Sequence, residues 1–450
     1  MTEQFVHQPG HAERFVRETF PQRYKSGALT RDRYSSPDFA AREFDRVFAR
    51  TWLVVGRTGE IPESGDYFTH EIGRESVLVV RQDDGSIRAF HNVCQHRGNR
   101  LVHQTEGSQP SFTCDYHSWR WGIDGMLQWV QDEGDFSQGS PCGRLRLAEL
   151  RCEVLKSFIF VNMDSHAVTL REYLGPVWDQ WQVYPIEQMV RVQALTVSMP
   201  CNWKGLVDNF SEVYHFATVH RPFLDYLEDD FRDIDCDVFD EGHTRLRMKA
   251  ALPSLRHLES GKPPIGPQLA DELERWGLDP ADFAGKPRET RLALQEAKRR
   301  LGPGRGHAHY AAMTDSQLTD SHHYVIFPNF AIGMLADGAL FHRLRPHADD
   351  PNRSYYDVHY YAFGHDAFSS ISTASGSGEA PQDVPVEYVE FGERSLGVLL
   401  DGDVNTMKGQ QLGWRSRGYR GGELSDQEFR LAFFHHMLDR YMAGELPMGR

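Results

Sequence analysis

The chain has 450 residues, of which 40% are hydrophobic, 12% aromatic and 25% charged, with a formal net charge of −15. That length exceeds what one core usually serves, so two domains are expected, and the acidic balance speaks against a phosphate-binding surface, which needs clustered Lys and Arg. No apolar run approaches the roughly 20 residues of a bilayer-spanning helix, and the N-terminus MTEQFVHQPGHAERF lacks a basic stretch followed by an apolar one, so a cytoplasmic location without membrane or nucleic-acid partners is expected.

Residues 40 to 50 (AAREFDRVFAR) put Phe44, Val47 and Phe48 on one helical face, and residues 1–45 are expected to be a helical segment packed on the larger domain. The pattern then changes to short runs broken by Gly, Asp and Pro. Val77 to Val80 and Ile87 to Phe90 read as a hairpin around Asp83-Asp84-Gly85, because an Asp-Gly pair supplies the positive backbone angles of a tight connection. Asp124-Gly125 makes a second such turn, and Val154 to Val161 reads as one strand. Residues 46–165 are therefore expected to form a small all-β domain.

Residues 166–450 are expected to form the larger domain. Val190 to Met199 alternates as a half-buried strand, and Asn202 to Val219 reads as a single helix. Further strands are expected at Thr244 to Ala250, His322 to Met334, Ala339 to Arg345 and Tyr355 to Phe363. Without regular βαβ alternation, these favour an antiparallel α+β domain. Pro287 to Leu301 is a charged helix. The following Gly302-x-Gly304-x-Gly306 lacks the strand and helix opening of a dinucleotide site and reads as a loop. Residues 369–381 are a Ser/Gly-rich linker, and the last helix starts at a capping box of Ser425 and Glu428 and stops at Gly444.

Two motifs carry chemistry. Cys94-Gln95-His96 is separated by 17 residues from Cys114-Asp115-Tyr116-His117. Two thiolates and two imidazoles are the donors of a Rieske cluster, in which Cys holds one of two sulfide-bridged irons and His the other. Each segment can serve both irons if the two form facing loops, and Gly98 allows a tight backbone there. Tetrahedral zinc takes the same donors, although zinc sites more often pair like ligands within a segment. The other cysteines, Cys142, Cys152, Cys201 and Cys236, read as small buried residues of a reduced protein.

The second motif is NWKGLVDNFSEVYHFATVH (202–220). A non-haem Fe(II) oxygenase needs two His and one carboxylate on one face of the metal. His215 and His220 are the candidates, yet five residues on a regular helix turn side chains roughly 140° apart, so the helix must be distorted or end. Arg221-Pro222 suggests that it ends. Glu212, three residues before His215, lies on nearly the same helical face. By itself a His-x4-His pair suits an ordinary helix equally well.

NVCQHRG (92–98) and CDYHSW (114–119) resemble the two cluster loops of the Rieske non-haem iron aromatic-ring-hydroxylating oxygenases, and NWKxxxDNFxExYHxxxxH resembles the catalytic motif of their α subunits. The chain departs from the family at Asp115, where Pro is common, and at Ser118, where Gly is usual. The resemblance covers nearly the whole chain. It implies an all-β Rieske [2Fe–2S] domain plus a catalytic domain whose antiparallel sheet wraps around helices, a helix-grip or START-like α+β fold. It also implies one [2Fe–2S] cluster on Cys94, His96, Cys114 and His117, and one mononuclear Fe(II) on His215, His220 and a distant Asp. Asp403, followed by Gln411, Gly413 and Ser416, matches the family register for that Asp; Asp401 is the competitor.

The resemblance also implies that Glu212 is an acidic bridge between His215 and His117 of an adjacent chain, with Asp208 as runner-up, and that Asn209 sits near the iron motif, although a polar helix residue reads there as well. Trp203, Phe210 and Tyr214 read as core. The implied activity is a terminal oxygenase that hydroxylates an aromatic or similarly apolar small molecule with O2 and electrons from a separate reductase, with or without a ferredoxin. The implied assembly is a homo-oligomeric ring, most simply a trimer, and a small β subunit is left open. Glu rather than Asp at 212 looks more like oxygenases of methylammonium compounds, so oxidative demethylation of a methylammonium or methoxy compound is the alternative. An electron-transfer protein without oxygenase activity and a zinc-stapled binding module are readings of other classes.

Overall fold

A computed structural model describes residues 12–14, 29–363 and 383–445, so the Ser/Gly-rich stretch lies outside the described residues. The chain divides into two units. One comprises Ala40–Tyr173 with Pro346–Asp350 and the chain from Tyr441, and the other holds the chain to Phe39, Leu174–Arg345 and Pro351–Arg440. The first boundary falls before 46 because the apolar face of residues 40 to 50 belongs to the smaller unit: Phe44, Val47 and Phe48 are buried, and the Arg74 guanidinium lies 4.5 Å over the Phe44 ring. The expected helical segment 1–45 is also part strand. Ala12–Arg14 pairs antiparallel with the edge strand Asp235–Phe239, whose open backbone groups need a partner, while Asp32–Ser35 and Pro37–Glu43 are helical.

In the smaller unit a seven-stranded sheet runs in the order Leu53–Arg57, Phe158–Asn162, Glu149–Leu155, Ile87–His91, Glu75–Arg81, Asp66–Ile72, Glu106–Ser108. The expected hairpin is its Glu75–Arg81 and Ile87–His91 pair. The expected strand Val154 to Val161 is instead a second hairpin turning at Lys156 and Ser157. Lys156 adopts a φ of 59°, and a turn built on a Lys leaves no glycine signal in the sequence. A three-stranded sheet of Ser111–Thr113, Arg120–Gly122 and Leu127–Trp129 completes the unit. Cys94 and Cys114 sit in the buried core between these strands, with Tyr67, Phe90, Phe112 and Trp121.

The larger unit holds a nine-stranded sheet ordered Ala12–Arg14, Asp235–Phe239, Thr244–Met248, Ser321–Ile326, Phe330–Leu335, Gly338–Pro346, Ser354–Ala362, Val190–Met199, Glu387–Glu390. Its recorded pairings are antiparallel except the last, where Glu387–Glu390 adds in parallel. The expected strand His322 to Met334 is two strands, because Pro328 has no N–H for a central ladder and the chain turns there.

One buried carboxylate ties three strands of this sheet together. Asp357, fully buried on Ser354–Ala362, accepts hydrogen bonds from Thr196 Oγ1 at 2.7 Å, Arg343 Nε at 2.7 Å and Arg345 Nε and Nη2 at 2.8 and 2.9 Å. Removing one partner of such a buried network leaves the other charges uncompensated. Asp357→Ala is expected to cost about 3–5 kcal/mol, read as a lowered denaturation midpoint; an unchanged midpoint refutes the assignment.

Candidate active site

The motif 202–220 begins as a helix because Asn202 caps it: its side-chain oxygen accepts from Lys204 N at 3.0 Å. The helix Trp203–Phe210 then stops, where a single helix to Val219 was expected. Ser211 turns its hydroxyl back onto Val207 O at 2.7 Å, a local bond that competes with helix continuation. The chain resumes as the short helix Phe216–Val219 and leaves it at His220 (φ −109°, ψ 29°), just before Arg221-Pro222.

This break removes the angular offset that a straight helix would impose. His215 Nε2 and His220 Nε2 lie 3.3 and 2.8 Å from the same Asp403 oxygen. Asp403 comes from the helix Val398–Trp414 and is buried, as is His220. Gly402, which sequence reasoning passed over, lets that helix approach: a Cβ there would meet Val219 Cγ1 at 2.7 Å and His220 Cε1 at 3.5 Å. Its signal was faint, a glycine inside a helix beside the candidate ligand. Asp401 points elsewhere, accepting from Leu396 N at 2.8 Å and Ser395 Oγ at 2.5 Å.

Glu212 is not on a helical face with His215, yet the turn brings them together: Glu212 Oε1 is 2.7 Å from His215 Nδ1 and Oε2 accepts from His215 N at 3.2 Å. A carboxylate on Nδ1 fixes the ring and leaves Nε2 facing Asp403. Burial would pull the His215 pKa down, but hydrogen bonds to Asp403 and Glu212 outweigh it and push it up to about 9. For Asp403, burial acts upward and the two histidines more than reverse it, holding the carboxyl well below the usual carboxylate range. Two imidazoles and an ionised carboxylate converging on one point form the donor set of a facial triad, in which a divalent cation takes the place of protons.

Asp208 does not join this group. It accepts from Tyr34 OH at 2.7 Å and lies 2.9 Å from His435 Nε2, which makes it a buried linker between elements. Asn209 lines the cavity beside the triad, and its buried Nδ2 makes no hydrogen bond. Trp203 is core, as expected; Phe210 lines the cavity, stacked on His342 at 4.2 Å, and Tyr214 is exposed. The cavity is walled by apolar side chains, among them Val213, Phe223, Leu227, Met248 and Leu335. Sequence reasoning missed His323 and His342, which also line it: burial pushes His342 down to about 3 and His323 well below its ordinary value. Both read as ordinary strand residues.

The two cluster loops are built alike. Cys94 N donates to Asn99 O at 2.8 Å and Gly98 N to Cys94 O at 3.0 Å, while Cys114 N donates to Trp119 O at 2.9 Å and Ser118 N to Cys114 O at 2.9 Å. The loops face each other, with the His96 and His117 ring centroids 4.6 Å apart and His96 stacked on Trp119 at 4.3 Å. Both cysteines are buried and unpaired, and both histidines are half-buried. Paired loops that each present one thiolate and one imidazole fit a cluster in which one iron takes both thiolates and the other both imidazoles. Cys201 and Cys236 are buried; Cys142 and Cys152 are only partly so, and all four are free.

Residues 51–145 match the Rieske [2Fe-2S] domain, and residues 186–444 match the ring hydroxylating alpha subunit (catalytic domain). The chain belongs to the ring-hydroxylating α-subunit family. Members carry a Rieske [2Fe–2S] domain with a mononuclear-iron domain, and the two matches enclose both Cys/His segments and all of His215, His220 and Asp403. The chain is 34% identical over 208 residues to the glycine betaine monooxygenase oxygenase subunit of Chromohalobacter salexigens, 46% of each chain. It is likewise 34% identical over 203 residues to the biphenyl 2,3-dioxygenase subunit alpha of Rhodococcus jostii, 43% of each. These matches span less than half of either relative. A quaternary ammonium Rieske monooxygenase shares the fold with a TM-score of 0.65 at 18% identity, covering 96% of this chain and 99% of that one. A naphthalene 1,2-dioxygenase from Rhodococcus sp. does so at 0.63 and 17%, covering 96% and 97%.

The family's usual glycine at 118 has a visible reason. Ser118 sits at φ 57°, the counterpart of Gly98 at φ 77°, a region that costs an L-residue roughly 1–2 kcal/mol, partly offset by the backbone freedom that glycine loses on folding. Ser118→Gly is expected to stabilise the smaller unit by about 0.5–1 kcal/mol, seen as a higher temperature for loss of the cluster's visible absorption. A lower temperature would show that the serine side chain matters more than its backbone.

Proposed function

We propose that this chain is the terminal oxygenase component of a Rieske system that hydroxylates an aromatic or similarly apolar small molecule. The observation that carries the reading is the convergence of His215, His220 and Asp403 in the wall of an apolar cavity. In this reading Cys94, His96, Cys114 and His117 hold the [2Fe–2S] cluster, and the triad holds Fe(II). When bound, the cluster supplies electrons, and the mononuclear iron supplies open positions for O2 beside the substrate.

The residues of the chain do the rest. Glu212 orients His215 through Nδ1. Asn209 offers a buried amide donor with no internal partner, and the apolar wall desolvates the substrate and aligns it. Electrons come from a separate reductase, directly or through a ferredoxin. Transfer runs between chains of a ring-shaped homotrimer, with Glu212 reaching His117 of the neighbour. The exposure of Tyr214 beside His215 and Tyr116 beside His117 supports an interface at both places. The free cysteines fit a reducing, cytoplasmic compartment.

Oxidative demethylation is the second reading. It is favoured by Glu at 212, and the 34% identity to both a glycine betaine monooxygenase and a biphenyl dioxygenase fits either reading. A substrate screen with a surrogate reductase, scored by product mass, separates the two: gain of one or two oxygens for hydroxylation, loss of a methyl group for demethylation. Iron content separates both from an electron carrier, at about three irons per chain against about two. Asp403→Ala should lower iron from about three to about two per chain, keep the cluster's visible absorption and abolish turnover. Full activity in that variant sinks the triad.

A further inference from the structure

We propose that His307, His309 and Asp337 form a second divalent-metal site, of zinc type, in the larger unit. His307 Nδ1 and His309 Nε2 lie 2.9 and 3.3 Å from one oxygen of Asp337, and the three donor atoms all fall within 4.8 Å of one another. The corresponding separations in the His215, His220 and Asp403 group are 2.8 and 3.3 Å. Four donors around a tetrahedral zinc, each about 2.0–2.1 Å from the metal, stand roughly 3.3 Å from each other, and in both groups the carboxylate oxygen lies within a few tenths of an ångström of that distance from each imidazole nitrogen.

Two local features shape the site. After the helix Thr290–Leu301 the chain passes Gly306 at φ 94° and delivers His307 and His309 to one place, and Asp337 occupies the turn between the strands Phe330–Leu335 and Gly338–Pro346. The second oxygen of Asp337 accepts from the Tyr310 hydroxyl, which fixes the carboxylate and leaves the first oxygen toward the histidines. Such outer contacts orient metal-ligating carboxylates generally. The His307 ring is itself held, stacked on Tyr310 at 4.8 Å and buried. The Ala336 carbonyl lies within hydrogen-bond distance of His309 Nε2, at 3.0 Å, and a bound ion would take the place of the proton between them.

An ion here would clamp the segment after the Thr290–Leu301 helix onto the turn at Asp337. That turn matters because Ala336, Asp337 and Gly338 line the cavity that the first triad also lines. The second ion would then hold a wall of the substrate cavity without touching the oxygen chemistry.

The test uses purified holoprotein equilibrated with zinc sulfate, desalted, and measured for zinc and iron by mass spectrometry. The wild type should retain about one zinc per chain with its iron undiminished. His309→Ala and Asp337→Asn, the latter nearly isosteric, should lose that zinc while keeping iron, and Tyr310→Phe should weaken its retention by roughly 10–100-fold. Wild-type protein that keeps no zinc overturns the proposal, and needs no variant to fold. Zinc that enters only as iron leaves, or that persists undiminished in both ligand variants, overturns it as well. Because zinc is scored between wild type and variants, the result stands apart from whether the chain proves to be an oxygenase.

Discussion

The convergence of two imidazoles on the buried Asp403 carboxylate is the constraint around which the larger unit is arranged. His220 is 183 residues from Asp403 in sequence, so nothing local can bring them together. The helix Val398–Trp414 has to lie against residues 202–220 at a fixed height and rotation. Gln411 on that helix sets the height: its Oε1 accepts from Asn202 N at 2.8 Å, and its Nε2 donates to Asn352 Oδ1 at 2.8 Å and Tyr34 O at 3.3 Å. Gly402 sets the distance, since any side chain there would strike Val219.

Around that contact, several buried polar groups are tied to one another across distant parts of the chain. Tyr34 stacks on Trp414 with centroids 4.0 Å apart and bonds Asp208, which also meets His435 on the last long helix. Asp208 thus belongs to the frame behind the triad and not to the triad. Such networks stabilise little when complete, but they are costly to break, which makes them devices of position. Asp357 does the same in the sheet, tying Val190–Met199 and Gly338–Pro346 to the strand between them.

The smaller unit solves a different problem with a repeated solution. Two loops with the same backbone bonds each offer one cysteine inward and one histidine outward. The thiols are buried and the imidazoles half-exposed, so the His side of the pair lies nearest solvent. A second group of two histidines and an aspartate, at His307, His309 and Asp337, lies in the larger unit, and its Asp337 also lines the cavity.

The candidate donors were legible in the chain, because chemistry restricts which residue types can hold a cluster or a facial triad, and motif spacing keeps them together. Cys94 to His117 and His215 to His220 were read that way, as was the capping box at Ser425 and Glu428. Other features were decided only by tertiary structure. Apolar runs hid the turns at Lys156 and Pro328, since periodicity carries no mark where a chain reverses without Asp-Gly or Gly-Gly. The continuous helix expected through Val219 yielded to a bond from Ser211 to Val207, a local competition whose winner depends on His220 having to reach Asp403. The second cluster was invisible for the same reason. His307 and His309 look like a short polar stretch until a turn about 30 residues further on places a carboxylate against them, a contact encoded in the sheet and nowhere in the local sequence.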